Sequence, residues 1–280
     1  MKPPMKSRQN VKANEVHREL LNEQSPALLQ ELHLLTNTGA LNADARRKLK
    51  QVNHLVNLIS PALDDIFQRF GDPLTIDVGA GKAYLGFILY QLYFHSRSKG
   101  KIISIESRAD LVGRALEMAQ RLKFNRMEFV GSTIKVFPAP ERVNLVTALH
   151  ACDTATDEAL QLGVRANADY LAVVPCCQAE VADLLKKEKE SPIQSLWSQG
   201  IHRREFGSHL TNVIRALTLE SLGYQVTVTE LVGWEHSLKN EFILAKKIQK
   251  ENKSSLGRLK ILLKEINVKP MIVRELLPEL

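Results

Sequence analysis

Residues 74–86, LTIDVGAGKAYLG, constrain the fold of this chain more than any other stretch. Leu74, Ile76 and Val78 alternate with Thr75 and Asp77, the period of a half-buried strand. Gly79-Ala80-Gly81 follows at once, and from Tyr84 an apolar pattern at helical spacing runs through Phe87, Ile88 and Leu92. Strand, glycine turn and helix in immediate succession form the frame of a nucleotide-cofactor pocket. Glycine is wanted in such a turn because the backbone bends sharply and approaches its ligand closely. The plainer alternative is a tight turn with no ligand.

Three residues bear on the ligand. A dinucleotide fingerprint reads Gly-x-Gly-x-x-Gly, and its last position here is Tyr84. Asp77, two residues before the first glycine, would repel a pyrophosphate but suits the cationic amino group of S-adenosylmethionine; it could also cap the amides of the following helix. Glu106, closing the next apolar run KIISIES, can accept hydrogen bonds from both ribose hydroxyls, a device that nicotinamide enzymes share. Ser132, after the third run, is a weaker candidate for reading adenine. The expected cofactor set is Asp77, Gly79, Gly81, Tyr84, Glu106, Ser132 and Leu149, and the expected cofactor is S-adenosylmethionine.

The chain has 280 residues, enough for one large domain with extensions. Apolar residues make up 44%, sufficient for a core, and no run approaches the roughly 20 apolar residues of a membrane span. MKPPMKSRQN is basic without an apolar stretch behind it, unlike a secretory signal. Cys152, Cys176 and Cys177 form no disulfide framework, which fits a reducing, cytoplasmic setting. The formal charge of +7 favours a polyanionic partner, though only weakly.

Before the first strand the pattern is helical. One helix is expected over 42–59, with Arg46, Arg47, Lys48 and Lys50 mostly off its apolar stripe, and a second from Ser60-Pro61 to Gly71. The basic face could guide a nucleic acid or be an ordinary solvated surface. Strands are expected near 74–79, 101–107, 127–131, 143–150 and 170–176, alternating with helices, which implies a parallel sheet covered on both faces. Helices follow around 178–188 and 208–222, with KKEKESPIQSLWSQG between them as an exposed excursion. YQVTVTELV (224–232) and NEFILAKK (240–247) are joined by a loop too short for a crossover and must be antiparallel. Five parallel strands closed by a hairpin give an α/β, Rossmann-like seven-stranded sheet of the class I methyltransferase layout with an N-terminal helical extension. The expected divisions are 1–70 for the extension, 71–248 for the cofactor-binding domain and 249–280 for a helical tail.

Ligands in such sheets sit at the carboxyl ends of the strands. Strand four ends in Leu149-His150-Ala151-Cys152-Asp153, and strand five in Val174-Pro175-Cys176-Cys177-Gln178. The Asn/Asp-Pro-Pro-aromatic loop used to methylate exocyclic amines is absent. For a hydroxyl acceptor, His150 and Asp153 are the candidate base and orienting group. For a pyrimidine carbon, Cys152 and Cys176 could supply the required thiolate. Against these stand a bracing role for His150, plain packing for the cysteines and helix capping for Asp153. The adjacent cysteines lack the Cys-x-x-Cys spacing of a zinc site, so no metal is expected. Lys82, His202, Arg203, Arg204, His209 and Arg215 could line a substrate rim, and Trp234 could stack on a base.

DVGAGKAYLG, LHACDTATDEAL, VVPCCQ, SLGYQV and SLKNEFILA together resemble one branch of class I methyltransferases over roughly residues 50–247. That branch has Gly-Lys-Gly-Tyr-Leu-type turns, a Leu-His-x-x-x-Asp motif at strand four and paired cysteines at strand five. It is similar to the domain of the tRNA acceptor-stem 2'-O-methyltransferases. The resemblance implies RNA, either tRNA or rRNA, as substrate. This chain departs from the pattern at Ala83, where the branch has a second glycine, and lacks the zinc-binding extensions. A protein or small-molecule acceptor, and a non-catalytic binding module on the same fold, remain the rival expectations.

Overall fold

The structure, a computed structural model, describes residues 19–149, 151, 153–175, 178–231 and 241–280. Its centre is a seven-stranded sheet: β1 (Leu74–Val78), β2 (Lys101–Glu106), β3 (Met127–Gly131), β4 (Leu145–Ala148), β5 (Tyr170–Val173), β6 (Tyr224–Glu230) and β7 (Glu241–Lys247). The strand order is β3-β2-β1-β4-β5-β7-β6. The first five strands are mutually parallel, and β7 runs antiparallel to both β5 and β6. This is the α/β, Rossmann-like sheet of the class I methyltransferase layout, with the closing hairpin inserted beside β5.

Each face of the sheet carries its own apolar layer. On one side lie α1 (Pro26–Glu31), α2 (Ala43–Arg69), α3 (Tyr84–Leu89, continued by a π-helical segment, Tyr90–His95) and α4 (Ala109–Arg121). Leu28, Leu49, Ile59, Ile66, Phe87 and Phe94 interlock there. On the other lie α5 (Thr154–Arg165), α6 (Glu180–Lys187), α7 (Gly200–Ser221), α8 (Lys253–Ile266) and α9 (Met271–Leu276). Leu160, Ile214, Leu259 and Ile272 fill that side. Each fully buried Leu or Ile is worth about 1.5–3 kcal/mol relative to exposure, so both helical layers are integral to the sheet's stability.

Three local expectations are corrected. The helices expected on either side of Ser60-Pro61 are one 27-residue helix, α2, with Pro61 inside it. Proline has no N–H for the Asn57 carbonyl, and the Ser60 hydroxyl donates to that carbonyl instead, at 3.0 Å. The apolar stripe Leu55, Ile59, Leu63, Ile66 therefore continues through the proline unbroken. The stretch expected as an exposed excursion is pinned down: Trp197 is buried and stacks on Phe206 with ring centroids 5.6 Å apart, and the Ser191 hydroxyl donates to the Glu265 carbonyl. As a result α7 begins at Gly200 rather than near 208.

The C-terminal residues also pack on the domain. Ile272 and Val273 are buried, and the Glu180 carboxylate accepts from the Met271 amide at 2.9 Å and from the Arg274 guanidinium at 2.9 Å. Among the described residues no helix is long and apolar enough to cross a membrane.

Candidate active site

The glycine turn leaves the end of β1 with left-handed backbone at Gly79 (φ +61) and Gly81 (φ +59). Its amides are tied to β2: Ala80 donates to the Ile105 carbonyl at 3.0 Å, and Gly81 donates to the Glu106 carboxylate at 2.8 Å. Ala83 is left-handed too, at φ +54, which explains the glycine that the resembling branch has there. For an L-residue this conformation costs about 1–2 kcal/mol. The Ala83 amide closes the turn onto the Ala80 carbonyl at 2.7 Å, and its methyl is buried.

Asp77 lies beneath the turn, buried in the middle of the sheet. In register it sits between Ser104 of β2 and Thr147 of β4. The Thr147 hydroxyl donates to its Oδ1 at 2.8 Å, and the Gly86 backbone in the first turn of α3 is near enough to favour the charged form. A Cβ on Gly86 would stand 3.2 Å from Asp77 Oδ2, so the missing side chain is what lets α3 approach the acid. Burial pushes the Asp77 carboxyl up to about 7, against the pull of Thr147 and the Gly86 backbone.

Glu106 closes β2 at the mouth of the turn. Burial acts to raise its pKa, but the Arg108 guanidinium and the amides of Arg108 and Gly81 outweigh burial and hold the carboxyl below its ordinary value. The Ser132 amide donates to the Glu106 carbonyl at 3.2 Å, which brings the end of β3 to the same place. Tyr84 is half-buried and lines a cavity of about 280 Å³ with Leu32, His33, Lys82, Leu111 and Met118, between α1 and α4. Leu149, also half-buried, follows β4 directly. Asp77, Gly79, Gly81, Glu106 and Ser132 thus converge on the carboxyl ends of β1, β2 and β3.

At the carboxyl ends of β4 and β5 the organising group is a buried cation. Arg215 was expected on an exposed rim, yet it is fully enclosed. It donates to Asp157 Oδ1 at 2.6 Å, to Asn212 Oδ1 at 3.1 Å and to the Asp153 carbonyl at 2.9 Å. Burial raises the Asp157 pKa, and the charge of Arg215 opposes it. Asp153 has φ +52, and its Oδ1 accepts from the amides of Ala179 (2.9 Å) and Glu180 (3.2 Å) at the start of α6. Asp153 is therefore a cap, as one expectation had it, but of the helix after β5 rather than its own. Asn212 in turn donates to Glu241 at the start of β7, at 2.8 Å. One buried arginine links the segments that follow β4 and β5 to the start of β7.

His150, Cys152, Cys176, Cys177 and Trp234 lie outside the described residues, as does the rest of 232–240. Among the described residues no group of three or more His, Cys, Asp and Glu side chains could hold a metal ion. Part of the basic face of α2 is already paired, Arg46 with Glu19, and Arg47 and Lys48 both with Asp44. Thr147, Arg108 and the buried pairing of Arg215 were missed from the sequence. Thr147 had a signal, a lone polar residue inside the apolar run NLVTAL.

Residues 47–184, just under half of the chain, match the family model described as a methyltransferase domain. Curated relatives called glutathione S-transferase C-terminal domain-containing protein align with it: the Xenopus laevis protein is 25% identical over 226 residues, covering 73% of this chain and 35% of that protein. The human protein is 24% identical over 229 residues, covering 74% and 34%. The chain thus spans about a third of the length of these relatives. Among solved structures, a Synechocystis magnesium protoporphyrin IX methyltransferase with bound S-adenosylmethionine aligns at a TM-score of 0.48 and 12% identity, covering 85% of this chain and 98% of that one. A Streptococcus thermophilus rRNA methylase aligns at 0.42 and 10% identity, covering 64% and 89%. The strand order, rather than these likenesses, fixes the fold.

The cofactor is S-adenosylmethionine. The residues present suit it: Glu106 offers a carboxylate for the ribose diol, and the bare Cα atoms of Gly79 and Gly81 leave room over the turn. A Cβ on Gly79 would meet only Ala151 within 4 Å, at 3.9 Å.

Two outcomes follow. The folded pKa of Asp77 lies above its unfolded value, so its contribution to stability is full below about pH 4 and is lost as pH rises to about 7. The stability of the wild type minus that of Asp77→Asn, measured by urea unfolding, should fall by up to roughly 4 kcal/mol across that window. A pH-independent difference would mean that the carboxyl is already ionised in the fold. Separately, Arg215→Met should cost about 3–5 kcal/mol by stranding Asp157, and Arg215→Met with Asp157→Leu should recover much of that loss. Equal stability of the single and double variants would contradict the pairing.

Proposed function

We propose that the protein transfers the methyl group of S-adenosylmethionine to RNA, with a ribose hydroxyl as acceptor and tRNA or rRNA as the substrate class. The observation that carries this reading is the end of β4. Leu149-His150-Ala151-Cys152-Asp153 follows the strand beside β1 and has no proline-aromatic loop of the amine-directed kind. When bound, the cofactor supplies an electrophilic methyl group on a sulfonium leaving group. The chain must then position an acceptor oxygen and take its proton.

His150 is the residue for that proton, because imidazole is the side chain whose ordinary pKa lies nearest neutrality. Asp153, whose carboxylate accepts from the amides of Ala179 and Glu180, acts as a positioning residue at the start of α5. RNA is favoured by the net charge of +7 and by cations at the carboxyl end of the sheet. Lys82 is exposed on the turn, and Arg204, paired with Glu205, is exposed at the start of α7. Such contacts supply a salt-dependent, sequence-blind part of binding.

The test is transfer of labelled methyl from S-adenosylmethionine into total RNA and protein from cells lacking this protein. Label is expected in RNA, lost with ribonuclease and resistant to protease, and found in 2'-O-methyl nucleosides after digestion. His150→Ala should lower transfer by about 10²–10⁴-fold while leaving affinity for S-adenosylhomocysteine unchanged. Label on a pyrimidine carbon would move the chemistry to Cys152 and Cys176. Label in protein would overturn the RNA reading.

A further inference from the structure

The acid at the end of β2 is not free to receive a ligand. Its Oε1 accepts from the Arg108 amide at 3.0 Å and from Arg108 Nε at 3.0 Å. Its Oε2 accepts from the Gly81 amide at 2.8 Å and, more weakly, from Arg108 Nη2 at 3.4 Å. A carboxylate oxygen has about two lone-pair positions. The Ser107 hydroxyl also donates to Oε1, at 3.4 Å. Each Glu106 oxygen therefore holds one backbone amide and one guanidinium nitrogen, with a serine hydroxyl besides on Oε1, and both oxygens are filled.

The amides and the guanidinium differ in what holds them. The amides belong to the glycine turn and to the residue that opens α4, so they stay with the fold. The guanidinium hangs on an exposed side chain, 63% accessible, whereas the Glu106 side chain is only 10% accessible. The same guanidinium overlies the turn: a Cβ built on Gly81 would stand 3.7 Å from Arg108 Nη2. If it swings away, Oε2 keeps only the Gly81 amide, and Oε1 keeps the Arg108 amide and the long contact from the Ser107 hydroxyl, which rotates freely. With that hydroxyl turned aside, the two oxygens offer one acceptor position each to the hydroxyls of a vicinal diol.

We propose that Arg108 is a built-in competitor for the ribose site. Its guanidinium occupies the positions on Glu106 that the cofactor's 2'- and 3'-hydroxyls would take, and cofactor binding displaces it into solvent. This rests on the reading of the turn as the S-adenosylmethionine site. The competition sets the affinity for the cofactor and makes it respond to ionic strength, because salt weakens the Arg108–Glu106 pair while leaving hydrogen bonds to an uncharged diol nearly untouched.

Calorimetric titration of the full chain with S-adenosylhomocysteine tests this. That ligand lacks the sulfonium charge, so its salt dependence reports on the protein's own ion pair. Arg108→Met keeps an apolar stem and the backbone amide while removing the guanidinium. It should bind about 2–5-fold more tightly than the wild type at low salt, the size of a largely exposed ion pair. Raising salt from about 0.05 to 0.5 M should tighten binding by the wild type toward the variant's value and leave the variant nearly unchanged. Equal or weaker binding by Arg108→Met at low salt would overturn the proposal. Glu106→Gln separates the two layers: wild-type affinity in that variant would remove Glu106 from the cofactor site, whereas lost affinity there with equal binding by Arg108→Met would sink the competition alone.

Discussion

A carboxylate buried at the centre of a sheet is costly unless its oxygens are used, and the use of Asp77 is what the cofactor half of this protein depends on. Thr147 holds one oxygen from β4, and the Gly86 backbone approaches the group from α3. The acid therefore fixes three elements relative to one another: the strand before the glycine turn, the helix after it and the neighbouring strand toward the acceptor side. Gly86 has no side chain because one would stand 3.2 Å from that carboxylate. Glu106 does the corresponding work one strand over, holding the Gly81 amide at the mouth of the turn while Asp77 braces it from below. The turn is shaped by two acids on adjacent strands, one inside the sheet and one at its edge.

The ends of β4 and β5 have a different organiser. Arg215 is fully enclosed, and Asp157, Asn212 and the Asp153 carbonyl surround it. Through Asn212 it reaches Glu241, and through Asp153 it reaches the first amides of α6. Asp153 and Asp157 after β4, the start of α6 and the start of β7 are thus tied to one another by polar contacts. Polar contacts of this kind demand specific geometry, which apolar packing alone does not. The two networks meet at β4: Thr147 faces the cofactor acid, and Asp153, six residues on, belongs to the Arg215 network.

Much of this was legible in the sequence, for identifiable reasons. Alternation in LTIDV, the apolar run of KIISIE, the glycines of the turn and the short hairpin loop each report on local backbone geometry, and together they agree with the observed sheet. What was not legible depends on partners distant in sequence. Pro61 looked like a helix start, because the rescue of the Asn57 carbonyl by Ser60 cannot be read from propensities. Asp153 looked like a cap for its own helix, yet its partners lie 26 and 27 residues away. Arg215 stands among apolar residues in NVIRAL, where periodicity alone does not say whether an arginine is buried or turned outward. Trp197 sits in a polar stretch whose composition concealed its stacking on Phe206.

The central claim is that the turn after β1 and the acid after β2 form one cofactor site. A crystal structure of the full chain with S-adenosylhomocysteine tests it most directly. The ligand should lie over Gly79 and Gly81 with one ribose hydroxyl on each Glu106 oxygen, the Arg108 guanidinium displaced, and Asp77 still bonded to Thr147. A ligand bound elsewhere, or a ribose that leaves the Glu106 carboxylate to Arg108, would contradict the account.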